Sequence, residues 1–427
     1  MMKKRMLSFT VLVLLLLLAL PVGAEEKPLS LAESIDLALH NNLGLELSQK
    51  NIDIAGANVK IANAAKQPNL SLNSSYTHMD KEPKAGEGKD IYGAKIGFSY
   101  PLYLYSGGKL EAAEKTQKFN LKASESGYQA NVQQLIYKVK EAYYNVLKSE
   151  HLVKVAQENL EGVQSHLKVA QAMFKTGMAP KFDVLRAEVG VSDAKQQMIK
   201  ATNGVNLAKA SFNNVLNRDL DSTVALVDVK DVLEPADKTP LSQLVAKSYR
   251  QRPELDQLDA TLRAAEEGVK YAKGDKKPNL VLTGGYEWKD NKFFPKNEDW
   301  SLTLSSTFNL FDGGIIDNQI KQAQYKKDQV QIQIDQAKQN IALEVRQAYL
   351  NIQEAREALE TAKKMVEQAK EGLKIAEVRY KAGMGTSVER LDAQVALTQA
   401  ESSYVHALYN YNLAKAQLEK ALGEARN

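Results

Sequence analysis

The sequence predicts a mainly α-helical protein with two β-hairpins of membrane-strand length, and three observations support this fold class. An internal repeat encodes the same architecture twice along the 427 residues. Within each repeat, apolar residues recur at steps of three and four over most of the length, which is coiled-coil periodicity. Between the helical stretches the period changes to two, as in strands with one apolar and one polar face.

The repeat defines the organisation of the chain. Leu31 to Tyr76 matches Leu241 to Tyr286 at an offset of 210, and from Gly107 and Gly313 onwards the match continues at an offset of 206. Asp, Pro and Thr cluster between the two copies, as expected of a linker. The predicted segments are a signal peptide at 1–24, a first structural repeat at 25–218, a linker at 219–240 and a second structural repeat at 241–427.

The first 24 residues have the pattern of a secretory signal. Lys3, Lys4 and Arg5 precede an apolar run over 7–20, and Pro-Val-Gly-Ala follows at 21–24. The run is shorter than the roughly 20 residues of a membrane-spanning helix, so we expect cleavage rather than anchoring. Removing these three positive charges from the 56 basic residues leaves 53 against 52 acidic ones. This balance gives no indication of a nucleic-acid surface.

One long helix is predicted in each repeat. Neither Pro nor a Gly pair interrupts the stretch from Lys109 to Lys175, so a single helix of nearly 70 residues would extend for roughly 100 Å. Alanine at several seam positions allows close approach and favours antiparallel packing. Shorter helical stretches flank the long ones: Leu29 to Lys66, Lys181 to Leu216, Leu241 to Lys273, and Ser387 to Leu422.

The hairpins are predicted at 70–105 and 280–311. Leu280, Leu282, Tyr286 and Trp288 alternate with polar residues, and the segment from Trp300 to Phe308 does the same after a polar loop. Each strand has about ten residues, the length of a tilted strand that spans a bilayer.

Two interpretations of the hairpins are open. They could form a small cap on a helical bundle, but four strands with an exposed apolar row would favour aggregation unless something covers or closes them. Four strands cannot close a barrel alone, whereas copies from several chains give eight, twelve or sixteen strands. We favour closure by oligomerisation, which together with the export signal and the long helices indicates a pore in an outer membrane.

Several motifs are similar to those of a known family. They are Leu31-Ala-Glu-Ser-Ile-Asp-Leu-Ala-Leu39, the Pro-Asn-Leu before each first strand, Leu310-Phe-Asp-Gly-Gly314, and Arg379-Tyr-Lys-Ala-Gly383 followed by Leu391-Asp-Ala-Gln394. In this order they resemble the TolC family of outer-membrane efflux proteins over essentially the whole mature chain. The resemblance implies a homotrimer of long antiparallel coiled-coil helices forming an α-barrel, with four strands per chain contributing to a 12-stranded β-barrel in outer-membrane lipid.

The resemblance also implies a function and partners. The trimer would be the outer-membrane channel of a tripartite efflux or type I secretion system, a passive duct from periplasm to exterior. It would work with a periplasmic adaptor (membrane fusion) protein and an inner-membrane pump of the RND, ABC or MFS type. A secreted coiled-coil structural or adhesive envelope protein without a pore is the alternative, although it does not explain the duplicated hairpins.

The turns after the long helices are the predicted docking sites. The resemblance places the periplasmic tips at 174–180 and 380–386, where an adaptor would dock on Gly177, Met178, Gly383 and Met384. Glycine permits the tight reversal of the chain at such turns. As plain helix-ending turns, these segments also have a structural role.

Three acidic residues follow the tips. Acidic residues on helices are usually solvated, but matching family positions line the tunnel entrance, so the resemblance implies that Asp183, Glu389 and Asp392 form rings that favour cations. Arg186 and Gly385 occupy tip positions where relatives differ, so no aperture-closing network can be transferred to this chain.

Enzyme functions find no support in the sequence. With no Cys, thiol nucleophiles and Cys-based metal sites are excluded. The five histidines lack metal-ligand spacing, and neither a phosphate-binding loop nor a Gly-x-Ser-x-Gly motif is present. We expect no catalytic residues, no cofactor, no metal site and no nucleic-acid partner. The histidines are His40, His78, His151, His166 and His406.

Overall fold

The computed structural model describes residues 28–81, 88–101, 105–229, 239–293 and 298–424. The predicted signal peptide lies outside these ranges. Helices and strands follow in chain order: α1 (Leu31–Asn41), α2 (Leu43–Ala64), β1 (Asn69–His78), β2 (Asp90–Pro101), α3 (Lys109–Lys175), α4 (Lys181–Val215), α5 (Leu241–Gln251), α6 (Pro253–Gly274), β3 (Asn279–Asp290), β4 (Glu298–Thr307), α7 (Ile315–Lys381) and α8 (Ser387–Leu422).

Each repeat contains one long helix, and the two helices have the same length. Helix α3 covers the uninterrupted stretch predicted from the sequence, and α3 and α7 each contain 67 residues. In α3, the buried residues Val132, Val139 and Val146 are spaced by seven, each at most 2% exposed. This heptad row is the seam that the periodicity predicts.

The first short helix of each repeat was predicted as continuous, and this was wrong. Arg252 has extended backbone angles (φ −81°, ψ 118°) between α5 and α6, because the following Pro253 disfavours the helical conformation. Asn42 has similar angles (φ −72°, ψ 120°) between α1 and α2. No proline follows it, but its side-chain amide donates to the carbonyl of Val215 at 3.3 Å. The breaks occupy matching positions at the offset of 210.

The strands form one antiparallel sheet in the order β1-β2-β3-β4. The hairpins begin at Asn69 and Asn279, one residue before the predicted starts at 70 and 280. Strand β4 ends at Thr307, four residues before the predicted end at 311, and β2 is described as far as Pro101, with residues 102–104 outside the described ranges. Pairing of β2 with β3 joins the hairpins of the two repeats, with Ile96 opposite Tyr286. Within the described residues, β1 and β4 each pair with a neighbour on one side only.

The two faces of the sheet differ as the alternation predicts. On the apolar face, the Phe98 ring covers Gly284, where an added Cβ would lie 2.2 Å from Cε1 of that ring. Such an aromatic ring over a strand glycine shields the backbone that glycine leaves open. On the opposite face, Lys95 and Glu287 form an ion pair at 3.3 Å.

The chain divides into two compact units, each with residues from both repeats: one comprises described residues 28–42, 135–229 and 350–418, and the other 43–134, 239–349 and 419–424. The sheet belongs to the second unit. In the first unit, the buried rings of Tyr143 and Phe212 pack edge to face at 6.1 Å.

No helix in the described part of the chain is both long enough and apolar enough to cross a membrane.

Candidate functional site: the tips of the long helices

Both predicted tips are helix C-caps of the same type. At the end of α3, the N–H groups of Gly177 and Met178 donate to the carbonyls of Phe174 (3.0 Å) and Met173 (2.8 Å). This is the Schellman arrangement, which satisfies the last carbonyls of a helix. The same bonds recur at the end of α7, where Gly383 and Met384 donate to Tyr380 (3.0 Å) and Arg379 (2.9 Å). We call residues 176–180 the first tip and residues 382–386 the second tip.

Glycine is required at the tips for its backbone conformation. Gly177 and Gly383 have φ of +77° and +71°, a region that residues with a Cβ rarely adopt. No atom lies within 4 Å of an added Cβ at either position, so space is not the constraint. The following Met178 and Met384 are each 69% exposed. Two exposed methionines on tight turns are available for contact with another protein, and their predicted role in docking stays a prediction.

Asp183 lies in the first turn of α4. It is half-buried, and its N–H donates to the carbonyl of Pro180 at 3.1 Å. Burial, together with the nearby charge of Asp183, raises the pKa of Tyr380. Asp183 is therefore close to Tyr380, a buried residue near the end of α7, and is less solvated than an ordinary surface carboxylate.

Glu389 and Asp392 have different surroundings. The N–H of Glu389 donates to the Thr386 hydroxyl, and the N–H of Thr386 donates back to the Glu389 carboxylate, each at 3.2 Å. This capping box fixes the start of α8, so Glu389 has a structural role whether or not it faces a pore. Asp392 is exposed and has no hydrogen-bond or ion-pair partner in the part of the chain that the structure describes. The acidic ring remains a prediction.

A buried arginine lies one turn into α8, and no sequence pattern predicted it. Arg390 is 3% exposed. Its Nη2 donates to the Glu377 carboxylate at 2.8 Å and to the carbonyl of Gly162 at 3.1 Å. Its Nη1 is buried without a hydrogen-bond partner among the described residues. A buried charge needs such partners, so Arg390 ties α8 to both α3 and α7.

His166 of α3 lies in the same buried region. Its Nε2 is 2.9 Å from the hydroxyl of Ser387, and its ring lies 5.0 Å from that of Tyr380. Burial, assisted by the positive charge of Arg390, lowers the pKa of His166 to about 4, so the ring is neutral at pH 7. Because an unfolded chain would protonate it near pH 6.5, the folded state loses stability as the pH falls from there towards 4.

One signal in the sequence could have indicated this cluster. His166 and Arg390 are polar residues in helical stretches whose seam is otherwise apolar, but they are 224 positions apart. Only the fold shows that they share neighbours. No group of three or more His, Asp or Glu side chains suited to holding a metal ion occurs among the described residues.

Comparison with known proteins identifies the family. The sequence profile described as "Outer membrane efflux protein" matches residues 34–218 and 244–424. Outer membrane protein TolC of Vibrio cholerae is 25% identical over 402 residues, which cover 92% of this chain and 90% of that protein. Protein CyaE of Bordetella pertussis is 23% identical over 394 residues, covering 91% and 81%.

Solved structures show the same fold. The CmeC outer membrane channel of Campylobacter jejuni superimposes with a TM-score of 0.82 at 20% identity, covering 92% of this chain and 86% of that one. A CusC structure gives 0.81 at 19% identity, covering 92% of each chain. The predicted fold class is confirmed for the chain: it is mainly helical, with two 67-residue helices and four described strands in one antiparallel sheet, and it shares this fold with both channels. The chain belongs to the outer membrane efflux protein family.

Proposed function

We propose that this chain is the outer-membrane channel component of a tripartite efflux or type I secretion system, a passive export duct from the periplasm to the exterior. It resides in the cell outer membrane and has a large periplasmic part. The observation that carries the proposal is the sheet, which has an exposed apolar face, a face of small polar residues, and two edges open for pairing with other copies.

The apolar face has the composition of a lipid-facing surface. Large apolar residues at alternate positions are exposed. Contact with lipid stabilises such exposed residues, whereas contact with water does not. They are Leu70, Leu72, Tyr76, Ile96, Phe98, Trp300, Leu302 and Leu304. The other face carries mainly Ser, Thr, Asn and Gly together with the Lys95–Glu287 ion pair, and it would line a water-filled lumen.

Exposed apolar stripes on the helices support assembly of several copies. On α2, Leu43, Leu47, Ile54 and Ile61 lie on one face at helical spacing, and each is between 59% and 66% exposed. Stripes of this kind mark surfaces that another chain covers. In the homotrimer, neighbouring copies cover them. The pore-free coiled-coil alternative explains such stripes but neither the two-faced sheet nor the family membership.

The chain has no catalytic role in this proposal. Energy comes from an inner-membrane pump of the RND, ABC or MFS type, and a periplasmic adaptor connects pump and channel. The adaptor docks on the two tips, on the surface formed by Gly177, Met178, Gly383 and Met384. Exposed apolar residues next to the first tip extend that surface: Phe174, Phe182 and Leu185 are 45%, 64% and 50% exposed.

Charged substitutions at the tip methionines test the docking surface. Met178→Glu and Met384→Glu are expected to reduce crosslinking to the adaptor and to lower efflux, because an apolar contact would then bury a charge. Crosslinking between each variant and the adaptor is measured in a strain of the source organism that lacks the chromosomal copy of this protein's gene. The susceptibility of the same strains to exported compounds is measured in parallel. Met365→Glu, at an exposed position within α7, is the control for charge alone. Wild-type crosslinking by both tip variants would refute docking at these residues.

Conductance tests the channel and its acidic ring together. Purified trimers in planar bilayers are expected to show single-channel conductance and cation selectivity, because threefold symmetry turns each carboxylate into a ring. In Glu389→Gln/Asp392→Asn, the reversal potential in asymmetric KCl should move towards zero. Gln at position 389 keeps the capping box, so the start of α8 is preserved.

A matched control separates the ring from surface charge in general. Glu371→Gln removes a charge from an exposed site within α7, and its reversal potential should equal that of the wild type. Folded trimers without conductance would refute the channel, whereas conductance with an unchanged reversal potential in the double variant would refute only the ring.

A further inference from the structure

The start of α8 is joined to both long helices by buried polar contacts. The Arg390 guanidinium bonds to Glu377 of α7 and to the carbonyl of Gly162 of α3. Another α8 residue also lies close to Gly162: an added Cβ there would be 2.7 Å from Oε1 of Gln394. Three helices therefore meet at one buried charge.

A second contact fixes the first residue of α8. Ser387 is 1% exposed and pairs with His166 of α3, which is 3% exposed. The second tip lies between the end of α7 and this residue. Tyr380, which accepts the Schellman bond from Gly383, packs its ring on His166. The residues on both sides of the second tip are thus held by buried groups.

The first tip lacks these groups. At the offset of 206, the positions of Arg390, Ser387 and Tyr380 correspond to Val184, Lys181 and Phe174. Lys181 and Phe174 are exposed, and Val184 carries no hydrogen-bonding side chain. Yet Gly177 and Gly383 have the same cap, and Met178 and Met384 have the same exposure. The repeats therefore present similar turns on differently supported helices.

We propose that Arg390, with Glu377 and the His166–Ser387 pair, positions the second tip as a preformed docking surface, whereas the first tip adopts its docked geometry on contact. Arg390 is a positioning residue that acts through α8 on Gly383 and Met384. The inference rests on the proposed docking function of the tips. A preformed surface loses less conformational entropy when a partner binds, so the two tips of one chain contribute differently to docking.

Hydrogen exchange measures this difference without a partner. Purified trimers in detergent are compared by mass spectrometry over peptides containing 176–184 and 382–390, which correspond at the offset of 206. In the wild type, we expect exchange at the second tip to be roughly tenfold slower or more, because its local opening must break the ion pair of the buried Arg390. In Arg390→Met, the second tip should exchange as fast as the first, and the first should not change.

Two further variants keep the test decisive. Arg390→Lys keeps the positive charge, so the second tip should exchange at a rate between those of the wild type and Arg390→Met. If Arg390→Met does not fold, Arg390→Lys is compared with the wild type instead. Arg356→Met removes a partly exposed ion pair of α7, in which Arg356 and Glu360 lie 3.7 Å apart, and should leave both tips unchanged. Equal exchange of the two tips in the wild type, or equal acceleration of both in Arg390→Met, would overturn the proposal. Neither readout depends on conductance or efflux, so loss of the channel function would be recognised separately.

Discussion

Leu304→Arg is expected to prevent most chains from assembling in the outer membrane, whereas Thr303→Arg, one residue away, is expected to be tolerated. Leu304 lies near the middle of β4 on the apolar face, opposite Leu282, and is 60% exposed. Thr303 points to the polar face opposite Thr283. An arginine facing lipid at the bilayer midplane costs about 2–4 kcal/mol, and a trimer carries three of them.

The measurement is the heat-modifiable trimer band from outer-membrane fractions, with urea titration of trimers refolded into vesicles. Leu304→Ala separates the loss of apolar contact from the cost of the charge, and it should assemble. The Thr303 carbonyl accepts a weak bond from the Thr283 hydroxyl at 3.5 Å, which a side-chain change at 303 leaves in place. Equal assembly of the two arginine variants would mean that the sheet does not cross a membrane with the faces assigned here.

The strands could be predicted from the sequence because their signal is local. Alternation along Trp300 to Phe308 specifies a face for each residue without knowledge of the neighbouring strand. The order β1-β2-β3-β4 has no such local signal. It depends on pairing of Tyr92 with Asp290, nearly 200 residues apart, which local periodicity does not encode.

The helix bounds could likewise be predicted only where the sequence carries a local signal. The 67 residues of α3 were predictable because nothing in the stretch stops a helix. Pro253 was a visible reason for the break at Arg252, since a residue before proline avoids the helical conformation. The break at Asn42 had no local equivalent, because its stabilising bond reaches Val215 in another helix.

In the candidate site too, the features with a local sequence signal could be predicted and those that depend on distant residues could not. Gly177 and Gly383 indicated tight turns, because a left-handed C-cap has a residue preference that the sequence displays. The role of Glu389 in a capping box was also readable from Thr386 three residues earlier. Arg390 could not be placed, since its partners Glu377 and Gly162 come from two different helices.

Glu377→Leu is expected to lower the free energy of unfolding by about 3 kcal/mol, because it leaves the charge of Arg390 buried with one carbonyl as its partner. This is the lower end of the range for breaking a buried pair, since the Glu377 side chain is itself 37% exposed while that of Arg390 is 4% exposed. Arg390→Met should cost less, about 1–2 kcal/mol, because the remaining carboxylate can turn towards water. Urea denaturation of trimers in detergent, followed by far-ultraviolet circular dichroism, gives the difference.

The decisive quantity is the coupling between the two positions. In the Arg390→Met background, Glu377→Leu should cost at most about 1 kcal/mol, because no buried cation is left without its partner. The double-mutant cycle, about 3 kcal/mol minus this residual cost, should therefore give a coupling of about 2–3 kcal/mol. Glu360→Leu removes the partner of Arg356 in a partly exposed pair of the same helix and should cost at most about 1 kcal/mol. If Glu377→Leu were no more harmful than Glu360→Leu, the Arg390 charge would be solvated in the trimer. The second tip would then have no buried anchor, and its geometry would depend on the same cap bonds as the first.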